Sequence, residues 1–454
     1  MKKAFLFISG LFALLIYGCE ETTENKSDSH LSERIENYLN AHVENGKFNG
    51  NVLITKNDSV VFSNSYGFAN RELSAKISDS TKFLIGSITK PFTALGILLL
   101  EQHGKLKVTD KLSKYFPNFE SANDITILQL LNHTSGISDY KALSDWKIDS
   151  KSDNINPHLT VGKMSTLPLL FEPGSSFRYS NVGYILLGLI IQQVNNQSFS
   201  SFIERKIIQP LNLTNTGIID NHSVIVNLAN GYSSNPRETT KAEYVNYSQP
   251  FSSGNMYSTT HDLLKFTKTV MNGELLVKKR TKEIFESGKY YTHGWGIRNF
   301  NGTKAFGHFG GMNGFVGSIT YIPEGNWFIC ILTNDDNTPK VRITNDLVKI
   351  INNKVVANPL STKLVELSDE FKDQVTGSYL VKPGNILKVF KENNRLYQQE
   401  NGQQKHELFP FDNYRYSFDL LEFNVIFEDL ENGKTNILKF VSSDTVLTAK
   451  RIIE

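Results

Sequence analysis

The chain has 454 residues, 39% of them apolar, 11% aromatic and 21% charged, which is enough apolar side chain for a sizeable core and too balanced a mixture for a disordered or fibrous protein. With Lys2 and Lys3 set aside in an N-terminal leader, 46 basic side chains face 46 acidic ones, and this near-zero balance excludes the basic footprint of a nucleic-acid binder. The two cysteines, Cys19 and Cys330, exclude a disulfide scaffold and CxxC-type zinc sites.

Met1-Lys2-Lys3 is a positive start, and Ala4 to Tyr17 is an uncharged apolar run of 14 residues, too short to span a bilayer as a mature helix and suited to an export signal. The run closes on Ile16-Tyr17-Gly18-Cys19 and turns polar at Glu20. This resembles a bacterial lipoprotein leader, with Cys19 as the lipidated first residue. Tyr17 departs from the small residue usual there, and an ordinary signal peptide with an incidental cysteine is the alternative reading. Both place the mature protein outside the cytoplasm, in the periplasm or at the cell surface. Acyl chains on Cys19 would anchor it to a membrane, with residues 20–32 as a flexible tether.

Leu31, Ile35, Tyr38, Leu39 and Val43 recur at helical spacing, with Gly46 as the stop. Asn51 to Thr55 and Ser59 to Tyr66 are β-rich runs joined by Lys56-Asn57-Asp58, a hairpin pattern. Ser87 to His103 and Asn181 to Val194 are apolar nearly all round and predict two buried helices. Gly314 to Ile322 and Trp327 to Thr333 form a second hairpin pattern around Pro323-Glu324-Gly325-Asn326. Strands therefore flank a mostly helical middle. Beyond Pro359, seven short strand patterns (Ile386–Phe390, Arg395–Gln399, Glu407–Phe411, Tyr414–Asp419, Phe423–Glu428, Asn436–Val441 and Val446–Ile452) predict a small antiparallel barrel or sandwich.

Ser-x-x-Lys occurs three times, at Ser87/Lys90, Ser138/Lys141 and Ser144/Lys147, and context selects the first. Only Ser87 opens a buried helix. On a helix, Ser87 and Lys90 share one face a turn apart, Pro91 is tolerated in the first turn, and the helix dipole favours negative charge at Ser87. Partial desolvation among Ile88, Pro91 and Phe92 is expected to lower the pKa of Lys90, making it a general base beside a nucleophile. Tyr179-Ser180-Asn181 follows a Pro-Gly turn and precedes the second buried helix, so a phenol and an amide project from an anchored loop. Gly307-His308-Phe309-Gly310-Gly311 lies just before a strand. Its glycines imply close backbone approach by a ligand or an unusual bend, and an N–H of Gly310 or Gly311, paired with that of Ser87, can form an oxyanion hole. Each motif alone also fits a capping or turn role.

Ser87-Ile88-Thr89-Lys90, Tyr179-Ser180-Asn181 and His308-Phe309-Gly310, in this order, resemble the three motifs of the serine β-lactamase-like family: class C β-lactamases, D-alanyl-D-alanine carboxypeptidases (penicillin-binding proteins) and related esterases and D-aminopeptidases. Leu130 to Ile137 and Gly254 to Leu263 resemble further stretches of this family, and the match runs from about Leu31 to Asn358. The resemblance implies an α/β fold, an antiparallel sheet flanked by helices plus a mostly helical subdomain. The β-rich tail resembles the lipocalin-like domain often appended to such hydrolases. Carried over, Ser87 is the acylated nucleophile, Lys90 its base, Tyr179 part of the proton path and Asn181 the group that orients the acyl amide. His308 stands where many β-lactamases have lysine. At its reference pKa of about 6.5 it would be only partly cationic at neutral pH, which makes acyl transfer a firmer reading than β-lactam hydrolysis.

The expected organisation is a signal peptide over 1–19, a tether over 20–32, a hydrolase domain over 33–358 and a β domain over 359–454. The expected activity is that of an exported serine hydrolase working through an acyl-enzyme on an amide, peptide or ester. The alternative is a non-catalytic or slowly acylated peptide-binding sensor lipoprotein. No Gly-x-Ser-x-Gly, His-Glu-x-x-His or Gly-x-x-x-x-Gly-Lys-Ser/Thr pattern occurs, so no cofactor, metal or nucleic-acid partner is expected. Substrate, deacylation base and oligomeric state stay open, and the loops Tyr140 to Pro168 and Asn221 to Gln249 are expected to shape the pocket.

Overall fold

The structure, a computed structural model, describes residues 23–57, 59–140, 156–220, 222–247, 249–286, 288–300, 302–359, 363–403, 405–411, 415–418, 421–431, 433–441 and 446–452. The leader, Cys19, Lys141, Ser144 and Lys147 lie outside the described residues. Helix α1 (Thr23–Glu44) contains the expected apolar stripe but begins eight residues before Leu31, so most of the expected tether is helical. Once the buried stripe has nucleated the helix, each polar residue upstream adds a hydrogen bond at little further cost.

Strands β1 (Gly50–Lys56) and β2 (Ser59–Tyr66) form the first hairpin, with Asn57 in the left-handed region at φ 54°. Helices α2 (Thr89–Gln102), α3 (Asn181–Asn195) and α4 (Thr260–Asn272) follow. The chain then returns to strand with β3 (Tyr291–Thr292), β4 (Trp295–Phe300), β5 (Thr303–Met312), β6 (Phe315–Ile322) and β7 (Trp327–Thr333) before helix α5 (Lys340–Ile351). Among the described residues these strands make one antiparallel sheet in the order β3-β4-β5-β6-β7-β1-β2. The first hairpin thus joins the second through β1 and β7, across most of the chain.

Strand β1 is buried at six successive positions, as expected of a strand covered on both faces. Side-chain alternation divides it. Val52 and Ile54 join Ile35, Leu39, Leu347 and Ile350 of α1 and α5 in one apolar cluster, whereas Leu53 joins the larger cluster of α2, α3 and α4 on the opposite face. Strand β7 alternates likewise, with Ile329 and Ile331 toward the first cluster and Phe328, Cys330 and Leu332 toward the second.

The residues after Pro359 build a separate apolar cluster around Val375, Tyr379, Val389, Val425 and Leu438. Their sheet runs Lys405–Glu407, Arg395–Glu400, Asn385–Glu392, Gly377–Lys382, Val446–Arg451, Lys434–Val441, Leu421–Glu431, Arg415–Phe418, Phe409–Pro410. Its two edge strands are separated in sequence by Leu408 alone, so the sheet must curl back on itself. The expected small barrel is therefore a curled half-barrel. Gly377–Lys382 adds a strand to the seven patterns, and Glu407 to Phe411 breaks into two at buried Leu408.

Candidate active site

Ser87 lies in a single 3₁₀ turn, Gly86–Ile88, that leads into α2, while Lys90 is in the first turn of the α-helix proper. The serine thus sits just ahead of the helix, where backbone N–H groups are free of intrahelical partners. Gly86 makes this turn possible. It adopts φ +49°, and a Cβ there would come within 2.6 Å of the Gly311 carbonyl oxygen. Gly310 is similarly blocked by the carbonyl of Ile85. Gly86 and Gly310 are therefore both required by the close approach of β5 to the serine turn, which brings β5 alongside Ser87. Gly311 has open space around it and lines the cleft.

Lys90 is fully buried (0% exposed). Its Nζ lies 3.0 Å from Ser87 Oγ, 2.8 Å from Asn181 Oδ1 and 2.8 Å from the Ser253 carbonyl oxygen. The two carbonyl-type oxygens can only accept, so the amine donates to both. Ser87 Oγ can accept or donate, so a neutral Nζ can take the hydroxyl proton. Asn181 opens α3 behind the N-cap Ser180, and its own N–H donates to Asp139 Oδ2 at 2.6 Å.

The Tyr179 ring centroid is 4.9 Å from Lys90 Nζ. Burial drives the pKa of its hydroxyl well above the ordinary tyrosine value, with a hydrogen bond to the Ser87 hydroxyl the weaker opposing influence. His133 packs against the Tyr179 ring, centroids 4.3 Å apart, and its Nδ1 accepts the Ser180 N–H at 3.2 Å.

His308 departs from expectation. Burial, the largest cause, presses its pKa down to about 3. Its Nδ1 lies 2.6 Å from the Phe309 carbonyl and its Nε2 3.0 Å from the Tyr291 hydroxyl. The carbonyl can only accept, so Nδ1 carries the proton and Tyr291 donates to Nε2. The imidazole is neutral at physiological pH rather than partly charged. A cation is present nearby in Arg298 of β4. Its guanidinium lies 3.7 Å from the Phe309 ring centroid and donates to Thr320 Oγ1 at 3.2 Å. Burial lowers its pKa to about 10, which leaves it charged at neutral pH.

Ser87, Tyr179, Asn181, His308, Gly310 and Gly311 line one cleft of about 1150 Å³, with Arg298, Asp139 and Tyr291; buried Lys90 lies beneath them. The described lining comes from Ser87, Ser138–Asp139, residues between Leu170 and Asn181, Tyr290 and strands β3 to β5, together with Lys340. It includes no residue of Asn221 to Gln249, and of Tyr140 to Pro168 none that is described. Tyr291, Arg298 and the Ser253 carbonyl had no motif to reveal them. Among the described residues no cluster of histidine, cysteine and carboxylate side chains could hold a metal ion.

A serine, a phenol and an amide thus line one cleft above a buried amine, a set of groups able to carry acyl transfer to a hydroxyl. Residues 35–353 match the Beta-lactamase family, and the chain belongs to this family of serine hydrolases. It is 29% identical over 412 residues to penicillin-binding protein 4* of Bacillus subtilis (strain 168), covering 85% of this chain and 91% of that protein. It is 30% identical over 394 residues to protein flp of Staphylococcus aureus (strain NCTC 8325 / PS 47), covering 82% of this chain and 76% of that protein. Among solved structures, the octameric penicillin-binding protein homologue from Pyrococcus abyssi is similar at TM-score 0.62 with 23% identity, over 92% of this chain and 99% of that one. The protein is a serine hydrolase.

Proposed function

We propose that the protein is an exported hydrolase that forms an acyl-enzyme on Ser87. Lys90 takes the Ser87 hydroxyl proton as Oγ bonds to the substrate carbonyl carbon. The charge that develops on the carbonyl oxygen is met by backbone N–H groups of Ser87 and of Gly310 or Gly311. Tyr179 carries the proton from Lys90 to the departing nitrogen or oxygen as the carbonyl–leaving-group bond breaks, Asn181 holds the acyl amide, and water then cleaves the ester. His308, being neutral, shapes the cleft through Tyr291, and a substrate carboxylate is met by Arg298.

The observation that carries this reading is the 3.0 Å approach of a fully buried amine to Ser87 Oγ, with two further contacts to obligate acceptors. Residues 33–358 form the catalytic unit, 359–454 a separate β unit, and 1–19 the leader, with Cys19 lipidated. Intact-mass analysis after treatment with a fluorophosphonate tests the site: one adduct on Ser87 and none in Ser87→Ala are expected. An adduct elsewhere, or none at all, defeats the proposal. A penicillin adduct on Ser87 that persists for hours, with no turnover of any amide or ester, identifies the sensor instead.

A further inference from the structure

The Ser253 carbonyl that touches Lys90 Nζ ends a single 3₁₀ turn, Phe251–Ser253. This turn is constrained. Phe251 holds φ at +41°, in the left-handed region that a bulky L-residue occupies only when its surroundings impose it. The two buried helices supply the constraint. Ser252 Oγ donates to the Tyr184 carbonyl of α3 at 2.9 Å, and Gly188 leaves the room, since a Cβ there would collide with the Ser252 side chain. From α2, Thr93 Oγ1 donates to the Ser252 carbonyl at 2.7 Å. A helical threonine commonly turns its hydroxyl to the carbonyl four residues back. Here that oxygen, of Thr89, is 3.5 Å away, beyond good hydrogen-bond length for a hydroxyl, so the hydroxyl binds the turn rather than its own helix. Thr93 is fully buried and is not among the described residues that line the cleft. It lies three residues after Lys90, on the same helix face. Two side chains of one face thus hold two successive carbonyls, Thr93 that of Ser252 and Lys90 that of Ser253.

The consequence for the reaction follows from the valence of nitrogen. A neutral amine able to take the Ser87 proton has two N–H bonds and one lone pair. Asn181 Oδ1 and the Ser253 carbonyl oxygen can only accept, and each lies 2.8 Å from Nζ, so together they engage both N–H bonds. The lone pair is left for Ser87 Oγ at 3.0 Å. If the Ser253 carbonyl swung away, one N–H would be released to point at Ser87 Oγ, and the base would become a donor toward the nucleophile. From this geometry we infer that Thr93 is a positioning residue for acylation: by fixing the Phe251–Ser253 turn it holds the Ser253 carbonyl on Lys90 and keeps the lone pair of the amine aimed at the Ser87 hydroxyl. The inference rests on the acyl-transfer reading and deepens it.

The test uses the full chain and p-nitrophenyl acetate, with the acylation rate constant and the half-saturating concentration measured separately. Thr93→Val removes the hydroxyl and keeps the branched shape, whereas Thr93→Ser keeps the hydroxyl and leaves a methyl-sized gap in the core. In Thr93→Val the acylation rate constant is expected to fall by about tenfold or more, the effect of a misaimed base, while the half-saturating concentration stays within about twofold of wild type. Thr93→Ser should acylate within about threefold of wild type in spite of its gap. Should Thr93→Val not fold by circular dichroism, Thr93→Ala, which a helix favours, takes its place with the same expectation. A hydroxyl-free variant that acylates within about twofold of wild type, a serine variant as slow as the hydroxyl-free one, or a loss confined to the half-saturating concentration would overturn the positioning role while leaving acyl transfer standing. Failure of the wild-type chain to become acylated on Ser87 would defeat the acyl-transfer reading itself.

Discussion

Replacing Lys90 by methionine separates its chemical part from its structural one. Methionine keeps the length and most of the volume of the side chain, so packing around it is little disturbed. What disappears is Nζ and its contacts to Ser87 Oγ, Asn181 Oδ1 and the Ser253 carbonyl. Two acceptors are left without this donor in a buried setting, at about 1–3 kcal/mol each. Removing a buried amine relieves desolvation in the other direction, so a net loss near the lower end, about 2 kcal/mol, is expected. Against a typical stability of about 5–15 kcal/mol this leaves nearly all molecules folded. Loss of the base, by contrast, should slow acylation by about 10²–10⁴-fold. The assay is the second-order rate of fluorophosphonate labelling, with folding checked by circular dichroism on the same sample. A folded Lys90→Met protein labelled within about threefold of the wild-type rate would remove Lys90 from the chemistry, since a twofold or threefold change is far below what a proton acceptor contributes.

Gly86→Ala forces an L-residue to φ +49° and sets its Cβ against Gly311; labelling should fall by about tenfold or more, with a lower melting temperature, and an unchanged rate would show that β5 need not lie so close. His133→Ala removes both the ring under Tyr179 and the acceptor for Ser180 N–H, whereas His133→Asn keeps an acceptor and tolerates the φ of +56° at this position; acylation should drop at least about tenfold in the first and recover partly in the second, and equal rates in the two would contradict a positioning role. His42 is buried with both ring nitrogens unpartnered and its pKa lowered to about 3 by burial. The folded state keeps it neutral while the unfolded chain binds a proton near 6.5, so stability is intact above pH 6.5 and is lost as pH falls toward 3, as it is for His308. Urea unfolding at several pH values should show this decline, shallower in His42→Phe by up to about 1.4 kcal/mol per pH unit; identical slopes would refute the assignment. Ending the chain at Asn358 removes an apolar cluster of its own and the Arg237 to Glu407 ion pair of 2.9 Å, so soluble, labelled protein is expected, and loss of labelling would show that the β unit supports the cleft.

Much of the site was legible because it is local. The three-residue step from Ser87 to Lys90, the Pro-Gly turn before Tyr179 and the glycines around His308 each declare a backbone shape within a few residues, and the apolar runs of α2 and α3 declare burial by composition alone. The strand Gly377–Lys382 has no polar/apolar alternation to mark it, since Tyr379-Leu380-Val381 are apolar in succession although Tyr379 is buried and Leu380 exposed. What a chain pattern cannot carry is the environment produced when distant segments meet. The neutral state of His308 follows from burial beside Lys90 and from a proton donated by Tyr291, seventeen residues away in sequence on another strand. The Ser253 carbonyl and the Arg298 cation owe their positions to loop placement and sheet register. Periodicity and turn residues therefore declared most of the elements, and the motif residues, with the family resemblance they carry, implied the reaction class. Only the folded arrangement decided which groups are charged and how closely β5 approaches the serine, because those depend on desolvation and distance between residues that the linear chain holds far apart.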